Sequence, residues 1–239
     1  ECGAEMAIYH LRATMISRSA GRSATAAAAY RSASHIEDHR TGLSFDYRAR
    51  GGVDHVEILA PAQAPEWAQD RAALWNAVEA AETRKNSQVA REIRVALPAE
   101  LDHGQRVELV RDFCQRQFVD RGMVADIALH APGREGDDRN HHAHILLTTR
   151  EIAAEGFTTK NRDWNAVEVL ERWREAWAQD ANLALELAGH AERIDHRTLE
   201  AQRIEALELS SAAEVRVDEA EALHQTVRAV ALDRPPLPQ

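Results

Sequence analysis

Apolar and polar positions along the chain follow two periods. Alternation of apolar and polar residues predicts strands at residues 6–12, 53–59, 90–97, 124–130 and 142–149, with Pro61 and Pro98 closing the second and third. Near-helical spacing predicts helices elsewhere. The Ser-, Arg- and Ala-rich stretch 17–34 contains an alanine run for which Ser23 is the N-cap. Residues 65–82 place Trp67, Ala68, Leu74, Trp75 and Val78 on one stripe, and 101–121 do the same with Val107, Leu109, Val110, Phe113 and Phe118 before Gly122 stops them. Beyond Asp163 the pattern is helical throughout, at 164–188, 197–209 and 212–232. Strands interleaved with helices over the first 150 residues predict an α+β domain followed by a helical extension.

Composition narrows the class. The 239 residues are 44% hydrophobic and 28% charged, which suits a folded domain and argues against a disordered chain. No apolar run approaches the roughly 18 residues of a membrane span. The start has no basic-then-apolar leader, and the two cysteines, Cys2 and Cys114, make no disulfide framework, so the expected location is the cytoplasm. Residues 1–5 precede Met6 and are expected to be a remnant foreign to the native chain. The proline-rich residues 233–239 are expected to be a linker or truncation point, with a main domain at 6–165 and the extension at 166–232. The net charge of −10 is unevenly spread. From Met6 to Arg50 seven arginines face three acids, net +4, whereas from Ala166 onward eight arginines face fifteen acids, net −7. The basic first segment is compatible with phosphate contact and equally with a solvated surface.

The chemistry gathers in the run Asn140-His-His-Ala-His-Ile-Leu-Leu147. In a strand, residues two apart share a face, so His142 and His144 project together while Ala143, Ile145 and Leu147 pack the other side. His130 ends the preceding strand, and a hairpin would return it beside His142. Three imidazoles on one face would leave coordination positions open, as a catalytic metal requires. His141 points the other way by parity. Glu92 stands in mid-strand on the face opposite Ile93, Val95 and Leu97, where an acid needs a partner. It is read either as a carboxylate that orients or ligates a metal or as a surface residue. Tyr30 ends the alanine run between Arg22 and Arg31. Two readings stay open for it, a core side chain or a hydroxyl exposed where cations attract phosphate.

Five ordered blocks carry a family resemblance. They are Met6-Ala-Ile-Tyr-His-Leu11; Ser17-Arg-Ser-Ala-Gly-Arg-Ser-Ala-Thr25 leading to Ala29-Tyr30-Arg31; Arg84-Lys-Asn-Ser-Gln-Val-Ala-Arg-Glu92; His130; and Asn140-His-His-Ala-His144. Together they resemble the MobA/MobL-type (MOBQ class) plasmid mobilisation relaxases of the histidine–hydrophobic–histidine endonuclease superfamily, over residues 6 to about 165 with weaker echoes to Gln202. One departure is His141, where that family commonly has proline.

The resemblance implies a central antiparallel sheet flanked by helices and a relaxase catalytic domain at 6–165. It implies that Tyr30 attacks DNA, that His130, His142 and His144 hold a divalent metal ion (Mg²⁺ or Mn²⁺), and that Glu92 supports the site. Arg22 and Arg31 are the expected phosphate contacts. The implied partners are single-stranded DNA at a transfer origin, accessory mobilisation proteins and a type IV secretion coupling protein, with no membrane. The implied location is the bacterial cytoplasm, the protein leaving with the transferred strand. Two other readings use the same residues differently. A rolling-circle replication initiator would share the tyrosine and metal, although tyrosine ahead of the histidines favours the relaxase order. A module that binds origin DNA without cutting would leave the histidines idle.

Overall fold

The computed structural model describes residues 9–133, 138–198, 201–202 and 204. In chain order its elements are β1 (Leu11–Ser17), α1 (Ala24–Ser32), β2 (His35–Glu37), β3 (Ser44–Asp46), β4 (Val53–Leu59), α2 (Arg71–Ala81), β5 (Gln88–Ala96), α3 (His103–Gln117), β6 (Ala125–His130), β7 (His142–Leu147), β8 (Arg150–Ala153), β9 (Gly156–Lys160) and α4 (Val167–Leu187). Five strands form one sheet in the order β1-β5-β7-β6-β4, every neighbouring pair antiparallel. The pairs β2-β3 and β8-β9 are separate two-stranded ribbons.

Strand parity gives the sheet two buried faces. On one, Ile93, Val95, Ile127, Leu129, Ala143, Ile145 and Leu147 meet Val110 and Phe113 of α3 and Trp173, Trp177 and Leu185 of α4. Phe113 stands edge-to-face against both Phe118 (5.1–5.4 Å spacings recur through this cluster; here 5.4 Å) and Trp177 (5.1 Å). On the other, Ile16, Ala90 and Leu146 pack with the alanines of α1 and with Leu74, Trp75 and Val78 of α2. Small residues let α1 lie close to the sheet, and this closeness later brings its last turn to the histidines.

Polar fasteners fix these helices. Ser23 Oγ accepts from the Ala26 N–H at 3.1 Å and caps α1 as the sequence predicts. The buried Glu79 of α2 accepts from the Ala24 N–H at 2.7 Å and from Arg18 at 2.6 Å, so the start of α1 is tied to α2. Asp126 of β6 accepts from Arg71 at 2.8 Å and from the Trp75 indole N–H at 2.8 Å, which ties α2 to the sheet. A buried carboxylate needs such partners, because desolvation is costly when left uncompensated.

The structure corrects some expectations. The first strand is Leu11–Ser17 rather than 6–12, because its register is set by pairing with β5, Leu11 opposite Val95. Residues 6–8 lie outside the described residues. Tyr9 therefore precedes the strand, although it packs against the apolar core. The helix of 164–188 begins as a 3-10 turn, Asp163–Asn165, and continues as α4, whose tryptophans belong to the core of the sheet. The compact unit holding the sheet runs to Ile194 and includes α4. The helix expected at 212–232, most of that at 197–209, and residues 1–5 and 233–239 lie outside the described residues.

Candidate metal centre and tyrosine

Pairing of β6 with β7 puts His130 directly opposite His142 and Ala128 opposite His144, so the three imidazoles share one face near the strand ends. Ring centroids are 5.2 Å apart for His130–His142, 4.7 Å for His130–His144 and 5.2 Å for His142–His144. One nitrogen from each lies within 4.8 Å of the others.

Each ring spends another contact on an oxygen. His144 Nδ1 is 2.6 Å from Glu92 Oε1, His142 Nδ1 is 3.1 Å from the Asn140 carbonyl, and His130 Nε2 is 2.7 Å from the Arg31 carbonyl. A carbonyl or carboxylate oxygen only accepts, so these nitrogens carry the proton and the second nitrogen of a neutral ring keeps its lone pair. Burial, with smaller contributions from neighbouring charges including Arg50, pushes His130 and His142 down to about 4, against a partial offset from their carbonyl bonds. Both are thus neutral at pH 7. Three such nitrogens, with outer partners fixing the ring orientations, fit a divalent ion.

Glu92 is 9% exposed in mid-strand, and its partners are now visible. Its carboxylate accepts from His144 and, in a two-pronged pair, from Arg31 Nε at 2.5 Å and Nη2 at 2.6 Å. Burial raises its pKa, but the hydrogen bonds from His144 and Arg31 and the Arg31 charge outweigh burial and hold the group down to about 2. Arg31 therefore acts on two of the three histidines, on His144 by way of Glu92 and on His130 through its own carbonyl.

Tyr30 immediately precedes that residue in the last turn of α1. It is 44% exposed, which removes the core reading. Tyr47 stands edge-on to its ring at 5.2 Å, and Arg50 lies over it, the guanidinium carbon 4.2 Å from the ring centroid. Arg22 is exposed ahead of α1, and Ser23 and Tyr30 are separated by about 10 Å of helix rise, so the structure does not bring Arg22 to Tyr30. His141 sits beside Arg106 (Nδ1 to Nη1 3.3 Å) and takes no part in the histidine cluster.

Arg50 and Tyr47 escaped the sequence reading. The run Tyr47-Arg-Ala-Arg-Gly-Gly52 does set two arginines beside an aromatic residue, a combination suited to nucleic acid. Only the sheet reveals its place: β4 begins at Val53, opposite His130, and the Ala131 N–H donates to the Gly52 carbonyl at 2.9 Å.

The profile of the MobA/MobL family matches residues 22–211. Mobilization protein MobL of Acidithiobacillus ferridurans is 42% identical over 237 residues, 84% of this chain and 60% of that protein. The probable conjugal transfer protein TraA of Sinorhizobium fredii (strain NBRC 101917 / NGR234) is 37% identical, over 84% of this chain and 20% of its own length. The chain thus spans less than two thirds of these relatives. Among solved structures, a chain described under "Molecular Basis of Vancomycin Resistance Transfer in Staphylococcus aureus" superposes with a TM-score of 0.74 at 37% identity, covering 80% of this chain and 99% of that one. The metal-bound conjugative relaxase TrwC in complex with oriT DNA gives a TM-score of 0.51 at 12% identity, covering 95% and 99%, a likeness of fold.

Proposed function

The chain belongs to the MobA/MobL family, and on that premise we propose that it nicks and rejoins one DNA strand at a plasmid transfer origin, with Tyr30 as nucleophile. The observation that carries this reading is the Tyr30–Arg31 step. One peptide bond separates an exposed phenol from the residue whose carbonyl meets His130 and whose guanidinium grips the carboxylate on His144. The backbone that carries the proposed nucleophile is thereby tied to His130 directly and to His144 through Glu92.

His130, His142 and His144 would hold a divalent ion, which when bound supplies Lewis-acid polarisation of a phosphate oxygen. The residues do the rest. Glu92 fixes the His144 ring and is itself fixed by Arg31. The Tyr30 oxygen bonds to phosphorus as the bond from phosphorus to the 3′ oxygen breaks; the phenol gives up its proton and the departing 3′ oxygen gains one. A phosphodiester is exchanged for a 5′-phosphotyrosyl ester, so the reverse attack by the 3′ hydroxyl rejoins the strand without a nucleotide. Single-stranded DNA is the substrate class, and accessory mobilisation proteins and a secretion coupling protein are the proposed partners. Among the described residues no helix is long and apolar enough to cross a membrane, which accords with action in the cytoplasm.

The test is incubation with supercoiled plasmids carrying candidate origins in Mg²⁺ or Mn²⁺. A protein-linked nick is expected, lost on chelation and in His142→Ala while oligonucleotide binding persists. Nicking at normal rates by His130→Ala, His142→Ala and His144→Ala alike would defeat the metal reading, and a chain that binds origin DNA but never nicks would be a binding module.

A further inference from the structure

We propose that Arg50 is the positioning residue of the Tyr30 nucleophile and the cation that meets the scissile phosphate beside it, where the sequence points to Arg22 and Arg31 as the phosphate contacts. This rests on the assignment of Tyr30 as nucleophile. Three arginines were placed around that tyrosine by sequence or structure, and they differ in what their charge already does. The Arg31 guanidinium is consumed by Glu92 through two hydrogen bonds, and its remaining Nη1 approaches the Ala27 carbonyl at 3.4 Å. Arg22 stands at the other end of α1. Arg50 has neither fate: no carboxylate pairs with it among the described residues.

Its grip on Tyr30 is double. Nη1 donates to the Tyr30 carbonyl at 2.9 Å, and the guanidinium lies over the ring face at 4.2 Å, well inside the reach of a cation–π contact. The Arg50 backbone is fixed in turn, its N–H donating to the Tyr47 carbonyl at 2.9 Å while the Tyr47 ring braces Tyr30 from the edge. An exposed ring held on a face, an edge and its own carbonyl keeps few of its orientations. The segment continues through Gly52, whose carbonyl accepts from Ala131 next to His130, so the same short loop spans tyrosine and histidines. The N–H groups of Arg50 not used on Tyr30 have no partner among the described residues. A guanidinium presents several donors in a planar fork that suits phosphate oxygens. A phosphate between Tyr30 and the imidazoles would give this charge the anion it lacks.

The experiment compares Arg50→Ala, Arg50→Lys and Tyr30→Phe in the full chain. The probe is an oligonucleotide spanning the nick that the unmodified chain makes in plasmid DNA. Arg50→Ala is expected to slow single-turnover adduct formation about 100-fold, the scale of a small misplacement of a reacting group, with little change in oligonucleotide affinity. Arg50→Lys should recover part of the rate, and guanidinium ion at non-denaturing concentration should do so in Arg50→Ala. The grip is read separately by NMR of ¹³C-labelled tyrosine, since the chain has three tyrosines and the Tyr30 ring signal is the one missing from Tyr30→Phe. That signal should move in Arg50→Ala without DNA or metal, and the Tyr9 signal should not. Adduct formation by Arg50→Ala at the unmodified rate, or a loss of affinity as large as the loss of rate, overturns the proposal. An adduct that survives in Tyr30→Phe overturns the nucleophile assignment beneath it instead, and the NMR shift tells the two failures apart.

Discussion

The two faces of the sheet are built from the same strands and obey different physics. Along β7, Ala143, Ile145 and Leu147 enter an apolar core with α3 and α4, whereas His142 and His144 on the alternate positions enter a polar network closed by α1. The apolar face is held by area removed from water and by interlocking rings, terms that need shape but no particular chemistry. The other face is held by directed bonds, each with a partner: Glu92 with Arg31 and His144, His130 with the Arg31 carbonyl. Damage to the first face should therefore appear as lost stability, and damage to the second as lost ligand affinity and chemistry. The strand pairing joins the two, since a register slip of one residue would exchange them.

Phe113→Ala strikes the apolar face where Phe118 and Trp177 meet, at a side chain with no exposed surface. It is expected to cost about 3–5 kcal/mol in denaturant unfolding. Whatever fraction remains folded should still bind Mn²⁺. Equal weakening of Mn²⁺ affinity in that folded fraction would break the separation of the faces.

Glu92→Gln acts on the polar face. It keeps the shape but removes the charge that faces Arg31 and His144, and Mn²⁺ affinity measured by calorimetry should fall by roughly 10–100-fold, the range for partners of a metal-binding histidine. Excess metal should then restore part of the nicking. An unfolded Glu92→Gln chain would instead make Glu92 a structural residue.

The smallest effect is expected for Ser23→Ala, which deletes the N-cap of α1 far from Tyr30 along the helix. It should lower stability by about 1 kcal/mol and leave adduct formation unchanged, because the other end of α1 is fastened independently by Arg31. A large fall in adduct yield from this variant would mean that α1 is positioned from its start rather than from its last turn.

What could be read beforehand follows the range of the interactions. The histidine face was legible because alternation and a hairpin are local: eleven residues lie between His130 and His142, and parity alone puts His142 with His144. The need of Glu92 for a partner was also legible, from a charge in mid-strand. Its partner was not, since Arg31 lies 61 positions away and only the packing of α1 on the sheet unites them. Arg50 was hidden for the same reason, through pairing of β4 with β6. The ribbons β2-β3 and β8-β9 went unseen because strands of three to five residues are too short to display a period. The first strand was set early because alternation runs on through residues 6–17, and only its ladder with β5 chooses the register.

The measurement that bears most directly on the whole account is mass-spectrometric mapping of the protein–DNA adduct after nuclease trimming. The chain offers three tyrosines, of which Tyr9 donates to the Arg174 carbonyl at 3.4 Å and Tyr47 braces Tyr30. A nucleotide mass on the peptide carrying Tyr30, present in Tyr9→Phe and Tyr47→Phe and absent from Tyr30→Phe, is the predicted result. A nucleotide on Tyr47, or an adduct that persists in Tyr30→Phe, would contradict it.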